Sequence, residues 1–307
     1  MSSALLALYA AVRGIIYVAI LLLVGTQVVG LILRRNVPHD ATGAGRDVRT
    51  RLARIASPVA LTLLVAIIVR GVLQVGTFLD PGESATPELI RSVLLDGPWA
   101  HAWILQLAAT IVLVGALRFR RGTGITPDPV IGIIVAVVIW GQTGMGHAGG
   151  DTWGWDVGRI VDAAHLLGAG IWLGTLGTIF LAVVPVLGGE VHLSSLATIV
   201  RSFSIYARTG ATLVVISGLT AAAVYSKLSP SALIHSTWGR LLLVKLTALL
   251  GVVALGWYNW KVVTPALEGR TDTAPHRLRT AIRIELSLGL IMLAITTMLV
   301  VSALPGE

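Results

Sequence analysis

The sequence predicts an all-α fold: a polytopic bundle of transmembrane helices that forms one integral membrane domain over residues 1–307. Three observations predict it. Hydrophobic residues make up 55% of the chain and only 12% of residues are charged, whereas soluble proteins have roughly 25% charged residues. Uncharged apolar runs of about 20 residues, the length that crosses a bilayer core as a helix, recur along the chain. These runs lack the alternation of apolar and polar residues that marks the strands of a membrane barrel.

Eight runs meet the length criterion. In chain order, the predicted spans are residues 8–33, 57–79, 98–117, 129–146, 157–187, 203–225, 239–263 and 281–303. The first run has no basic segment ahead of it, which indicates a retained helix and not a cleaved signal peptide. Since no connection is long enough for a soluble domain, we expect any functional site within the bundle or its short loops.

Loop charges predict the orientation of the chain. Basic residues concentrate in the first, third, fifth and seventh connections: Arg34, Arg35, Arg46, Arg49, Arg51, Arg54, Arg118, Arg120, Arg121, Arg201, Arg208, Lys261, Arg270, Arg277 and Arg279. Loops rich in Lys and Arg stay in the cytoplasm. The sequence therefore predicts a multi-pass protein of the bacterial inner (plasma) membrane, with both termini on the outer (periplasmic) side.

Composition also excludes several classes of function. The net charge of +8 does not indicate nucleic-acid binding, because Lys and Arg lie in loops between apolar runs and not on one face of a soluble domain. The chain contains no cysteine. Disulfides, thiolate metal sites, iron–sulfur clusters and thiol catalysis are therefore excluded.

Polar residues within the predicted spans gather in the outer half of the membrane. Ionisable groups are costly there, and they usually line a cavity or pair with one another. The cluster contains Arg13, Arg70, Gln74, His101, Gln106, Gln142, Met145, His147, Asp162, His165 and Lys245. Their similar depth favours an outward-facing polar pocket. The alternative is that each charge only snorkels to water or pairs to hold helices together.

The fifth span carries the most informative residues. Asp162, His165 and Trp172 recur at spacings of three and seven, which place them on one face of a helix. We expect Asp162 to bond one imidazole nitrogen of His165 and leave the other nitrogen free to bind a metal. Four glycines of this span let a neighbouring backbone approach closely: Gly168, Gly170, Gly174 and Gly177. A purely structural Asp–His pair is the alternative.

Further metal ligands are predicted at the outer ends of the third and fourth spans. Met145 and His147 lie two residues apart in a glycine-rich turn and offer soft and borderline ligands to copper. A chance pairing of these two residue types is the alternative. His101, at the start of the third span, is a third candidate histidine.

The third and seventh spans begin with similar sequences, which match Trp99 with Trp238 and Gln106 with Lys245. The same offset of four helices aligns the first span with the fifth. Four plus four helices would form a parallel repeat about an axis along the membrane normal. Such a 4+4 internal repeat would place equivalent polar groups around a central cavity.

Four segments together carry a family resemblance: the run from Asp162 to Gly174, the run Trp238-Gly-Arg240-Leu-Leu-Leu-Val-Lys245-Leu followed by Tyr258-Asn259, the turn Gly146-His147-Ala148, and Arg201-Ser-Phe203-Ser. In these segments the chain resembles the CopD family of copper-resistance membrane proteins. The number of spans agrees over the whole chain, while the recognisable motifs lie in its second half.

The resemblance implies an inner-membrane transporter, and not an enzyme, that imports or delivers copper ion. It also implies two partners: the lipid bilayer, and a separate periplasmic CopC-like copper-binding protein. Since the chain has no methionine-rich tract, histidine-based capture is the expected route, with His147 and His165 as principal ligands and Met145 and His101 as further ones. The expected pocket residues are Asp162, Trp172, Arg13, Arg70, Gln106, Lys245 and Arg240.

Charge opposes the copper hypothesis in one respect. Arg13, Arg70 and Lys245 repel a cation unless carboxylates or an anionic co-ligand neutralise them, and Asp162 alone cannot balance all three. A membrane haem protein or haem-linked redox protein is the second hypothesis. Its histidines would be axial ligands, and its basic residues would hold the porphyrin carboxylates. A membrane scaffold that binds a partner through its outer loops is the third.

Overall fold

The protein is helical throughout the part of the chain that its computed structural model describes. The described residues are 3–36, 43–80, 82–119, 128–146, 155–189, 192–225, 230–269 and 273–301. No strand occurs within these ranges. The predicted fold class, a polytopic bundle of membrane helices, is confirmed.

Ten helices follow one another along the described chain, and two of them contain π-helical turns. The first five are α1 (Ser3–Asn36), α2 (Gly43–Gly76), α3 (Pro87–Leu95), α4 (Gly97–Phe119) and α5 (Pro129–Thr143). Helix α6 begins as Trp155–Ala169 and continues through Gly170–Gly174, Thr175–Thr178, Ile179–Val183 and Val184–Leu187. Then come α7 (Leu193–Tyr225), the short α8 (Pro230–His235), α9 (Thr237–Tyr258, continued by Asn259–Val263 and Thr264–Glu268) and α10 (Ala274–Val301).

Seven of these helices are long and apolar enough to cross a bilayer, and α5 is shorter. The predicted span 129–146 is wrong at its end, because α5 stops at Thr143 after 15 residues. That length rises about 22 Å, less than the roughly 30 Å of a bilayer core. Helix α5 still runs antiparallel to α4, since Gly141 near its end lies against Gln106 in the first half of α4. The chain therefore reverses direction there, as eight spans require.

Two helices begin well before the predicted spans do. Helix α2 starts at Gly43 and α7 at Leu193, whereas the apolar runs start at residues 57 and 203. The added turns carry exposed arginines such as Arg46 and Arg201. Hydropathy marks only the part of a helix that lies in hydrocarbon, and a helix can continue into the interface, where water solvates its charged side chains.

Glycines let α6 pack closely between α1 and α7. A side chain at Gly174 of α6 would collide with the carbonyl oxygen of Leu21 in α1. A Cβ at Gly168 would lie 2.8 Å from the carbonyl oxygen of Gly210 in α7. Small residues at such crossings are a common means of association between membrane helices. The predicted close approach is confirmed, and it fixes α6 from both sides.

A π-helical turn lies beside this crossing. It covers Gly170–Gly174 and contains Trp172, whose side chain is buried. Single π-helical turns inside α-helices occur frequently at functional sites, because they change the direction in which the following side chains point.

The two ends of the bundle differ in charge. The end named the basic end here carries Arg34, Arg35, Arg49, Arg118, Arg201, Arg208, Lys261, Arg277 and Arg279. Its helices meet there: Arg35 at the end of α1 donates a hydrogen bond to Tyr206 near the start of α7. The opposite end, where α1 begins, carries the acidic connection between α2 and α4.

Candidate functional site

A cavity of about 320 Å³ lies in the half of the bundle that is farther from the basic end. Helices α1, α5, α6, α7, α9 and α10 line it, and most of the lining is apolar. Its polar and charged lining residues are Arg13, Tyr17, Gln142, Thr143, Asp162, His165, Ser217, Lys245 and Thr296. The cavity therefore brings together four charged or titratable residues of the predicted pocket, which come from three helices.

His165, on α6, has one ring nitrogen fixed by α7. Its Nδ1 lies 3.1 Å from Oγ of Ser217. Oγ of Ser217 also lies within hydrogen-bond distance of the backbone carbonyl of Leu213. When the hydroxyl donates its proton to that carbonyl, its oxygen accepts the proton of His165 Nδ1–H. This tautomer leaves Nε2 unprotonated, as metal binding requires. Gly218 leaves room for the ring, since a Cβ there would lie only 3.2 Å from its Cε1 atom.

Asp162 lies one turn before His165 on the same face of α6. It does not make the expected hydrogen bond to the imidazole, because Ser217 occupies that role. Asp162 instead lies within electrostatic range of Lys245 and Arg13, which line the same cavity. Its carboxylate therefore faces cations from α9 and α1, and it remains available as an oxygen donor.

Arg13 and Trp172 are buried side chains of the cavity wall. Arg13 is 5% exposed, and its Nη2 donates a long hydrogen bond of 3.4 Å to the hydroxyl of Tyr17. Its guanidinium also lies 5.9 Å from the ring centroid of Tyr9. Trp172 lines the cavity from the π-helical turn of α6. Both residues were predicted for the pocket, and both lie in its wall.

Arg70 belongs to a separate buried network, although it was also predicted for the pocket. It is fully buried and does not line the cavity. Its Nη1 donates to Oε1 of Gln142 at 3.0 Å, and its Nη2 donates to the carbonyl of Met145 at 3.3 Å. Gln106, also fully buried, donates to the same Gln142 oxygen at 3.0 Å. Gln142 joins this network to the cavity, because it lines the cavity as well.

The remaining predicted ligands are not gathered at His165. His101 and Arg240 are exposed and do not line the cavity. Met145 is buried outside the lining, where its carbonyl bonds Arg70. His147 lies outside the described residues. Within the described part of the chain, no group of three or more His, Asp or Glu side chains is placed to hold a metal ion.

Ser217 is the site residue that sequence reasoning missed. It lies in the middle of α7, a helix whose sequence shows no cluster of titratable groups. The adjacent pair Ser217-Gly218 is the available signal, because a small residue beside a hydroxyl lets a neighbouring polar side chain approach the helix. That signal becomes specific only when α7 is known to pack against His165.

A second buried carboxylate lies in the half of the bundle near the basic end. Glu285 of α10 is 4% exposed, and its Oε1 accepts a hydrogen bond of 2.6 Å from Asn259. Asn259 begins the π-helical turn of α9. This pair does not line the cavity, so the two polar sites of the bundle are separate.

Two family models match the chain. The model for the copper resistance protein D-like N-terminal domain matches residues 1–157, which is about half of the chain. The model for copper resistance protein D matches residues 197–299. Almost all of α6, with Asp162 and His165, lies between the two matched segments.

Full-length comparison gives two relatives. The chain is 26% identical over 302 residues to copper resistance protein D of Pseudomonas syringae pv. tomato, a match that covers 93% of each chain. It is 26% identical over 256 residues to copper transport protein CutJ of Bacillus subtilis (strain 168). That match covers 80% of this chain and 45% of CutJ, so the chain spans less than half the length of that relative. No solved structure matches the chain.

The matches include the first half of the chain, where the sequence shows fewer recognisable motifs of the family. The N-terminal domain model covers α1 to α5, and the second model covers α7, α9 and most of α10. The resemblance stated from the sequence is confirmed, and the chain belongs to the copper resistance protein D family.

Proposed function

We propose that the protein imports copper across the bacterial inner membrane and that His165 captures the metal in the cavity. The relatives named for copper resistance and copper transport support a copper-related membrane function and a transporter rather than an enzyme. The observation that carries the finer proposal is the contact of His165 Nδ1 with Ser217, because the tautomer in which Nδ1–H donates to that oxygen leaves Nε2 of the imidazole free to bind a metal.

The chemistry of the donors suits copper as a transient occupant. Imidazole nitrogen binds copper well, and copper(II) stands at the top of the affinity series of divalent metals. Asp162 supplies a carboxylate oxygen in the same cavity. A transported ion must bind weakly enough to leave again. A site with one imidazole and one carboxylate satisfies this condition better than a closed site with four protein ligands.

Loop charge supports the direction of transport. The positive-inside rule assigns the basic end to the cytoplasm, so the cavity lies in the outer half of the membrane and both termini lie outside. Copper then enters the cavity from the periplasm and moves towards the basic end. A separate CopC-like periplasmic copper-binding protein would deliver the metal at the outer face.

Copper uptake by cells that produce the full chain tests this proposal. We expect His165→Ala to reduce accumulation of radioactive copper to the level of cells without the protein, at equal amounts of protein in the membrane. His276→Ala is the matched control, since His276 is exposed near the basic end and should leave uptake unchanged. Wild-type uptake by the His165→Ala variant would contradict the role of His165, and copper export by the wild-type chain would contradict the direction.

A further inference from the structure

The charges that line the cavity do not balance. Among its described lining residues, Arg13 and Lys245 are cations and Asp162 is the sole carboxylate. No direct ion pair joins either cation to Asp162 in the described part of the chain. Copper at His165 would add further positive charge within the membrane, where uncompensated charge is costly. The occupied cavity therefore needs an anion that these lining residues do not supply.

Arg13 has unused hydrogen-bond donors at this position. Only one of its five N–H groups has a described partner, the hydroxyl of Tyr17, and that bond is long at 3.4 Å. Its Nε is buried without a partner. A buried donor without an acceptor costs free energy. The planar guanidinium matches the two oxygens of a carboxylate, so a carboxylate is the anion that satisfies it best.

Lys245 offers a second cation to the same anion. It projects from α9 into the cavity, and no hydrogen bond to it occurs among the described residues. Arg13 and Lys245 come from different helices, so together they can contact an anion from two sides of the cavity. Asp162 lies within electrostatic range of both, which orients the two cations towards the same space.

The rest of the lining favours an organic ligand. Leucines contribute much of it: Leu166, Leu173, Leu242, Leu246, Leu249 and Leu293. A hydrated inorganic anion would have to lose its water against these side chains, whereas the carbon skeleton of an organic acid gains from contact with them. The combination of apolar walls with a few convergent polar groups is typical of a small-molecule site.

We propose that copper occupies the cavity as a complex with an organic carboxylate, whose oxygens bond to Arg13 and Lys245 while His165 Nε2 binds the metal. The inference rests on the proposed function, in which His165 captures copper. Nitrogen and oxygen donors favour copper(II) over copper(I). The substrate is therefore a small copper(II) carboxylate complex and not the bare ion.

Copper(II) binding to the purified full chain, measured in two media, tests the inference. The protein is titrated in sodium perchlorate and in sodium propionate at equal ionic strength and equal free copper(II). We expect propionate to raise the affinity by at least about tenfold, the factor expected from one charge-assisted hydrogen bond. In Lys245→Met this gain should disappear, while the affinity in perchlorate should rise, because a cation that repels copper(II) has been removed.

A matched lysine provides the control. Lys261→Met removes a cation near the basic end, where Lys261 lies 4.3 Å from the ring centroid of Trp260, and it should keep the full propionate gain. Lys245→Gln, which keeps a polar head group, replaces Lys245→Met if that variant does not accumulate in the membrane. A propionate gain that persists in the Lys245 variant would overturn the inference.

Other outcomes separate this inference from the proposed function. Equal copper(II) affinity in both media would overturn the carboxylate complex and leave His165 as a copper ligand. Absence of copper binding in both media would contradict the proposed function itself. A stoichiometric Soret band in the protein as isolated would overturn the inference in favour of a porphyrin, whose own carboxylates would then contact the two cations.

Discussion

Arg13 and Arg70 are buried arginines in the same half of the bundle, and their surroundings differ. Arg70 donates through Nη1 to the side chain of Gln142 and through Nη2 to the carbonyl of Met145, both fixed acceptors, although its Nε lacks a partner as that of Arg13 does. Arg13 lines the cavity and has one long hydrogen bond to Tyr17. Residue type and depth are alike in the two cases. What separates a structural arginine from one that is available to a ligand is whether the protein itself supplies the acceptors.

The two regions are nevertheless connected. Gln142 accepts from Arg70 and from Gln106 through one oxygen, and its side chain also lines the cavity. The buried network therefore holds one wall of the cavity in place, while the cations on the other walls remain available. Under the proposed function, the residues that stabilise the bundle and the residues that bind the ligand are therefore different members of one polar cluster.

The largest expected effect is on stability, and it tests this difference directly. We expect Arg70→Met to lower the free energy of unfolding by about 2 kcal/mol, because the carbonyl of Met145 loses its described side-chain donor. Arg13→Met should change it by less than about 0.5 kcal/mol, since its one long hydrogen bond to Tyr17 leaves no strongly bonded acceptor unsatisfied when it is removed. Denaturant unfolding of both variants in detergent, followed by tryptophan fluorescence, measures the two values. Equal losses would remove the distinction between the two arginines.

The next effect concerns the fixed tautomer of His165. Ser217→Ala removes the acceptor of Nδ1–H, and loss of such a partner typically costs about tenfold or more in metal affinity. The control is Thr220→Ala on the same helix, where the hydroxyl bonds only the carbonyl of Ile216. Copper titration of both variants should show a loss for Ser217→Ala alone. An unchanged affinity in Ser217→Ala would mean that Ser217 does not orient the metal ligand.

Most of the fold could be predicted from the sequence, because lipid imposes a simple rule on it. Every apolar run of sufficient length became a helix, since a backbone in lipid must satisfy its hydrogen bonds internally. The early start of α2 at Gly43 and the early stop of α5 at Thr143 could not be predicted in this way. Hydropathy reports the solvent of a segment and does not report where the helical backbone ends.

The site was less predictable, because position along a helix gives depth but not direction. Depth grouped Arg13, His165 and Lys245, and these three residues line one cavity in the structure. The same criterion included Arg70 and Gln106, which face the buried network instead. Direction depends on how neighbouring helices pack, and a single sequence does not contain that information.

Two further expectations stay predictions. His147 lies outside the described residues, so its role as a ligand rests on the sequence. The 4+4 repeat matches Gln106 with Lys245, and these two residues lie in different surroundings, one in the buried network and one in the cavity wall. A repeated backbone is compatible with this difference. Side chains at equivalent positions of the two halves can differ when only one half binds the ligand.

The smallest expected effect sharpens the comparison at Asp162. The Arg70 network contains no described carboxylate, whereas Asp162 partly balances the two cations of the cavity. Asp162→Asn removes this charge and keeps the shape of the side chain.

We expect copper(II) affinity of the Asp162→Asn variant in perchlorate to fall only about threefold to tenfold, because one charge in a partly hydrated cavity contributes roughly 1 kcal/mol. The gain from propionate should grow, since Arg13 and Lys245 would then lack an internal counter-charge. The same titration in two media measures both quantities. A loss as large as that of His165→Ala would mean that Asp162 contributes as much to copper binding as His165 does. An unchanged propionate gain would mean that Asp162 and the carboxylate do not compete for the same cations.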